Sequence, residues 1–147
     1  MTNTPGTSKP QVVVADTDAI IAQTFLADSH HKKAQILGSK LAEVGALIIF
    51  PATCVAEAAT TLQRKYSNPH LAAAVLEKFS DPKMTVINID QAILKEAREF
   101  FDPTASKHKT IFDCIVATLA KRYNADAIFS FDGWYTKLGF KLVSDLF

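Results

Sequence analysis

Four carboxylates, Asp16, Glu57, Asp113 and Asp132, stand where an open α/β sheet would bring them together. Asp16 closes the apolar run Val12-Val13-Val14-Ala15, and Asp132 follows Ala127-Ile128-Phe129-Ser130. Strands of such sheets deliver the residues at their carboxyl ends to a crevice at the topological switch point, which makes both acids candidates for one site. Like charges gathered in one pocket raise one another's pKa values. Four ionised acids there call for a hard divalent cation, Mg²⁺ or Mn²⁺.

Each acid also has a purely structural reading. Asp16 could be a turn residue satisfied by backbone amides, although an ionisable group directly after a buried strand is costly unless something binds it. Asp18 precedes Ala19-Ile20-Ile21 and reads as a helix N-cap. Glu57 falls in a segment whose core stripe is Val55, Ala58, Ala59, Leu62 and Tyr66, with Cys54, Thr60 and Thr61 as its helical neighbours. That weakly polar face suits a cleft or water equally. Thr110-Ile111-Phe112-Asp113 fits a capping box, and a helix N-terminus would keep Asp113 ionised. Asp132-Gly133 is a common turn pair. His30 and His31 point to different faces of a helix start and lack a third donor, so they are not read as metal ligands. Trp134 reads as core or interface, and Cys54 and Cys114 as small buried residues.

The elements that must position these acids follow from periodicity. Short β-rich runs at 11–15, 46–50, 84–88, 127–130 and 141–143 alternate with helical segments at 18–27, 30–44, 52–66, 69–79, 90–101 and 110–124. This alternation predicts a three-layer α/β/α fold around a parallel sheet of about five strands. Pro51 suits the first turn of the third helix, and Asp90 suits the cap of the fifth. The 147 residues are expected to form one domain over 11–147, preceded by a disordered tail over residues 1–10. The composition, 48% hydrophobic and 21% charged, is that of a soluble globular protein, and no apolar stretch is long enough to span a bilayer. The first ten residues lack a secretory pattern, and a cytoplasmic location is expected. A net charge of +1 means that any polyanion site is local.

The stretches VVVADTDAII, PATCVAEAATTL, IFDCIVATLAKRY and IFSFDGWYTKLGFKLV resemble the PIN-domain ribonucleases, especially VapC-type toxins. Their order and spacing, from Val12 to Val143, carry the resemblance. It implies a PIN-like fold and Mg²⁺- or Mn²⁺-dependent cleavage of RNA, with Asp16 and Asp113 as principal metal ligands and Glu57 and Asp132 completing the shell. Ser130 matches a position usually held by a hydroxyl residue and would orient a carboxylate or a water. Asp18 departs from the pattern, which more often has a small hydroxyl or amide residue there. Resemblance to the toxin members further implies a type II toxin–antitoxin system, a homodimer and a cognate VapB-type antitoxin. From their charge and their closeness in sequence to Asp113, Lys107, His108 and Lys109 are expected to hold RNA phosphates at the rim of the cleft.

Two other readings remain. Asp16-Thr17-Asp18 looks like the D-x-D start of haloacid-dehalogenase-type phosphatases, with Asp16 as nucleophile and Asp18 as general acid. A PIN-like module used for binding or assembly, without catalysis, is the other.

Overall fold

The computed structural model describes residues 11–105 and 108–147. The expected tail over 1–10 and Lys107 lie outside those residues. β1 (Val12–Ala15) is three β-branched residues and an alanine, with Val13 and Val14 fully buried, as befits a central parallel strand covered on both faces. It pairs in parallel with β2 (Leu47–Pro51) on one side and with β4 (Ala127–Phe129) on the other, while β3 (Thr85–Ile87) extends the sheet beyond β2. The order is therefore β3-β2-β1-β4, and the direction of winding reverses at β1. That reversal opens a crevice at the carboxyl ends of β1 and β4.

The helices α1 (Thr17–Thr24), α2 (His31–Glu43), α3 (Ala52–Arg64), α4 (Pro69–Lys78), α5 (Gln91–Ala97), α6 (Ile111–Arg122) and the short α7 (Trp134–Lys137) cover this sheet. In α3, Val55, Ala58, Ala59 and Leu62 form the buried stripe expected from the sequence, and Cys54, expected on the face of Glu57, is buried beside them. Tyr66 falls past its end and packs instead on Phe25, with ring centroids 4.7 Å apart. In α6, Cys114 to Ala120 are buried without interruption, so this helix is enclosed on all sides. Among the described residues, no helix is long and apolar enough to cross a membrane.

Three local expectations are corrected. The sheet has four strands, not about five: the segment expected as the last strand makes one bridge, Ile128 to Leu142, and then turns into the 3-10 helix Val143–Asp145. The reason is a competing acceptor, because the Leu142 N–H donates to Asp145 Oδ2 at 2.9 Å instead of to a neighbouring strand. Pro51 ends β2 and occupies the N-cap position of α3, one residue before its first turn. The cap of α1 is Asp16, with φ −87° and ψ 166°, and Asp18 lies within the first turn. Asp90 caps α5 as expected, accepting from the Ile93 N–H at 2.9 Å.

Candidate active site

Asp16 is fixed at both its backbone and its side chain. Its N–H donates to Phe129 O at 3.0 Å, which carries the β1–β4 pairing one residue past the strand. Its Oδ1 accepts from the Thr17 N–H at 2.7 Å, and its Oδ2 accepts from the Tyr135 hydroxyl at 2.6 Å. The Cys54 thiol lies 3.9 Å from Oδ1, within reach of a weak S–H donor. Only 5% of the residue is exposed. Burial, and next the charge of Asp18, push its pKa up to about 7; the bond from Tyr135 works against the shift, and the Asp113 charge adds to it.

Asp18 belongs to the same cluster. From the first turn of α1 it crosses to the end of β4, where its Oδ2 accepts from the Ser130 hydroxyl at 2.9 Å and the Phe131 N–H at 2.8 Å. Its Oδ1 is buried with no hydrogen-bond partner. Burial raises its pKa despite these two donors and the nearby Ala19 N–H, and Asp113 raises it further. Half-buried Glu57, on α3, is likewise raised, first by burial and then by the charges of Asp113 and Asp18. Thr17, between Asp16 and Asp18, turns its buried hydroxyl toward Glu57 and Cys54 without an ordinary hydrogen bond.

Asp113 sits at the start of α6 in the expected capping box. The Thr110 N–H donates to its Oδ2 at 2.9 Å, and the Phe112 N–H donates to Thr110 Oγ1 at 3.3 Å. The other oxygen, Oδ1, lies 3.5 Å from the Tyr135 hydroxyl, too far for a strong bond. Asp113 is thus both a cap and a member of the cluster.

Asp132 is arranged differently. Its Oδ2 pairs with Lys109 Nζ and its Oδ1 accepts from the Trp134 N–H at 2.9 Å, so both oxygens are engaged away from the other acids. Its link to them runs through Ser130, whose hydroxyl accepts from the Asp132 N–H at 3.1 Å and donates to Asp18. Asp132 borders a cleft of about 470 Å³ lined by Ala105, Lys109, Gly133, Trp134 and Lys137. Of the basic rim residues, Lys109 is half-buried and His108 is exposed.

Sequence reasoning missed Tyr135. It is fully buried, and its hydroxyl lies between Asp16 and Asp113. Burial and the adjacent Asp16 charge push its pKa far above the ordinary tyrosine value, so it stays protonated and donates. The available signal was a buried tyrosine's need for a hydrogen-bond partner.

Among the described residues, no three His, Cys, Asp or Glu side chains converge into a ready-made metal cage. The donor set nevertheless fits a hard cation. Asp16, Asp18 and Glu57 all have raised pKa values, the condition that an added positive charge relieves, and Asp18 Oδ1 is a buried acceptor without a donor. Mg²⁺ keeps several of its waters and is commonly held by one or two carboxylates, so a complete protein cage is not required.

The fold is similar to that of Mycobacterium tuberculosis VapC20, described as a sarcin-ricin loop cleaving toxin. The TM-score is 0.76 and the identity 17%, over 87% of this chain and 95% of that one, a likeness of fold. No curated protein gives a significant sequence match. The PIN domain family model matches residues 13–141, a span that runs from β1 past α7 and holds every acid of the cluster. The phosphatase alternative falls with that match, and the chain belongs to the PIN domain family.

Proposed function

We propose that this chain is a divalent-metal-dependent endoribonuclease acting as the toxin of a type II toxin–antitoxin pair. The observation that carries the reading is the cluster of buried Asp16 with the partly buried Asp18, Glu57 and Asp113 at the carboxyl end of β1, which includes a carboxylate oxygen with no donor. A cluster with that much unbalanced negative charge suits a cation-assisted reaction on a phosphodiester. The fold it shares with VapC20, a sarcin-ricin loop cleaving toxin, favours RNA as the polymer and toxicity as the role.

In this proposal Asp16, Asp113 and Glu57 hold Mg²⁺ or Mn²⁺, and Asp18 adds its unpaired oxygen. When bound, the cation supplies activation of a water and neutralisation of the phosphate charge. The chain's own residues do the positioning. Tyr135 holds one oxygen of Asp16, so its carboxylate keeps a single orientation. Ser130 orients Asp18, and the Asp132–Lys109 pair places a positive charge at the mouth of the crevice for a phosphate. A homodimer and a VapB-type antitoxin whose tail covers the cleft complete the proposal.

The test is cleavage of a mixed RNA substrate by the purified chain. The expected result is silence in chelator, activity restored by Mg²⁺ or Mn²⁺, and loss of activity in Asp16→Asn and Asp113→Asn with circular dichroism unchanged. RNA binding without cleavage under any metal would support the non-catalytic PIN module instead.

A further inference from the structure

The adjacent histidines that open α2 have separate tasks. His31 turns inward, and its Nδ1–H donates to Ala22 O at 2.6 Å, pinning α2 to α1. His30 occupies the N-cap position but makes no side-chain capping bond. Its backbone is fixed instead by Asp28, whose Oδ1 accepts the His30 N–H at 2.8 Å. The imidazole lies flat on Phe131, with centroids 4.4 Å apart and planes inclined by 3°. Lys33, three residues on and so on the same helix face, brings its Nζ to 5.8 Å from the same ring.

Phe131 is itself held at both its ring and its backbone. Its ring meets the buried Phe129 ring edge-on at 6.2 Å, and its N–H is held by Asp18 Oδ2. Phe129, Phe131 and His30 therefore form an aromatic ladder from the core to an exposed ring, anchored on a carboxylate of the acid cluster. An exposed imidazole ordered parallel to a ring, beside a lysine, leaves a flat π surface with a cation next to it. That pairing suits a nucleobase and its phosphate.

We propose that the His30–Phe131 stack, with Lys33, is the platform for an unpaired base of single-stranded RNA flanking the scissile position. The inference rests on the nuclease reading for its substrate, and it adds a preference: bases already stacked within a duplex cannot be offered to the platform. Base-on-aromatic stacking is tolerant of sequence, so the platform selects strandedness rather than base identity.

The test is equilibrium binding of a fluorescein-labelled RNA octamer to the full chain in Ca²⁺ buffer, with the RNA checked for intactness. Single-stranded, duplex and single-abasic octamers are compared. Wild type should prefer the single strand. His30→Ala should weaken single-strand binding by roughly tenfold, leave duplex binding unchanged and abolish the penalty for the abasic position. His30→Phe, which keeps the flat ring, should restore binding to within about twofold. Lys33→Ala should lower the salt slope by about 0.7. Because His30 is exposed, these variants should keep the wild-type circular dichroism. Equal binding by wild type and His30→Ala overturns the platform, as does equal loss on single strand and duplex, or failure of wild type to bind RNA. Loss of a protein partner with RNA binding intact also overturns it. If wild type fails to cleave RNA with Mg²⁺ or Mn²⁺ while the His30 pattern holds, the nuclease reading fails and the platform stands. If wild type cleaves RNA and His30→Ala changes nothing, the platform fails and the nuclease reading stands.

Discussion

The Tyr135 hydroxyl donates to Asp16 Oδ2 at 2.6 Å from a side chain with no exposed surface. One end of the crevice is thus tied to the other, because Tyr135 lies in α7, past β4, while Asp16 directly follows β1. Removing the hydroxyl in Tyr135→Phe leaves a buried carboxylate oxygen unpaired, which costs about 1–3 kcal/mol or more. Thermal denaturation in chelator should show that loss, larger at pH 8, where Asp16 is ionised, than at pH 5. A variant as stable as wild type at both pH values would show that the bond contributes nothing.

Asp16 also sets a pH dependence. Its folded pKa of about 7 lies above the ordinary value of 3.8, so the folded state binds more protons than the unfolded state between those pH values. Stability should therefore fall as pH rises from about 4 to 7 and level off above. The raised values of Asp18 and Glu57 act in the same direction. At one pKa unit per about 1.36 kcal/mol, the full effect is on the order of a few kcal/mol. Melting curves in chelator across pH 5–8 read it directly, and Asp16→Asn should flatten the profile. A stability that climbs with pH in this range would contradict the proposed electrostatics.

Asp18→Asn separates charge from hydrogen bonding. The amide oxygen can still accept from Ser130 and the Phe131 N–H, while one negative charge leaves the cluster. The metal-free variant should melt above wild type at pH 8. It should retain cleavage at saturating Mg²⁺ but need several-fold more of the ion for half-maximal activity. Asp18→Ala, which strands both donors, should lose about 1–3 kcal/mol. A metal titration of activity set beside melting curves distinguishes the two effects, and an unchanged Mg²⁺ midpoint in Asp18→Asn would exclude the residue from the ion's surroundings.

The acids are legible in sequence because each follows a local rule: a charge after a buried strand, a capping box, a carboxylate on a small-residue helix face. The partners of the acids are not. Asp18 reads as the cap of α1 because any acid before an apolar helix start fits that role, and only the extended ψ of Asp16 assigns the cap two residues earlier. The place of Asp132 after β4 groups it with the cluster, but Lys109, from a loop 23 residues earlier, turns its carboxylate to the rim. Tyr135 escapes notice because a four-residue helix carries no readable period. The fifth strand has the apolar alternation of a strand but loses its ladder to Asp145, a contact between residues three apart that alternation alone does not rank.

The orientation of Asp132 leads to a prediction about Lys109. The pair is partly exposed, with 26% of the lysine side chain and 35% of the aspartate side chain accessible. Such pairs contribute about 0–1 kcal/mol, so Lys109→Ala should melt within about 3 °C of wild type. Its functional effect should be larger. The lysine also lies 5.9 Å from the Trp134 ring and lines the cleft beside Asp132, to which the proposed function brings a polyanion. Without it the cleft exposes an unneutralised carboxylate to phosphates. KM for RNA should rise several-fold while kcat changes little, and the salt dependence of kcat/KM should become shallower by about one phosphate contact. Lys109→Arg, which keeps the charge, should recover most of the loss. If kcat falls with KM unchanged, Lys109 acts on the acid cluster rather than on substrate approach, and Asp132 belongs with the reacting groups after all.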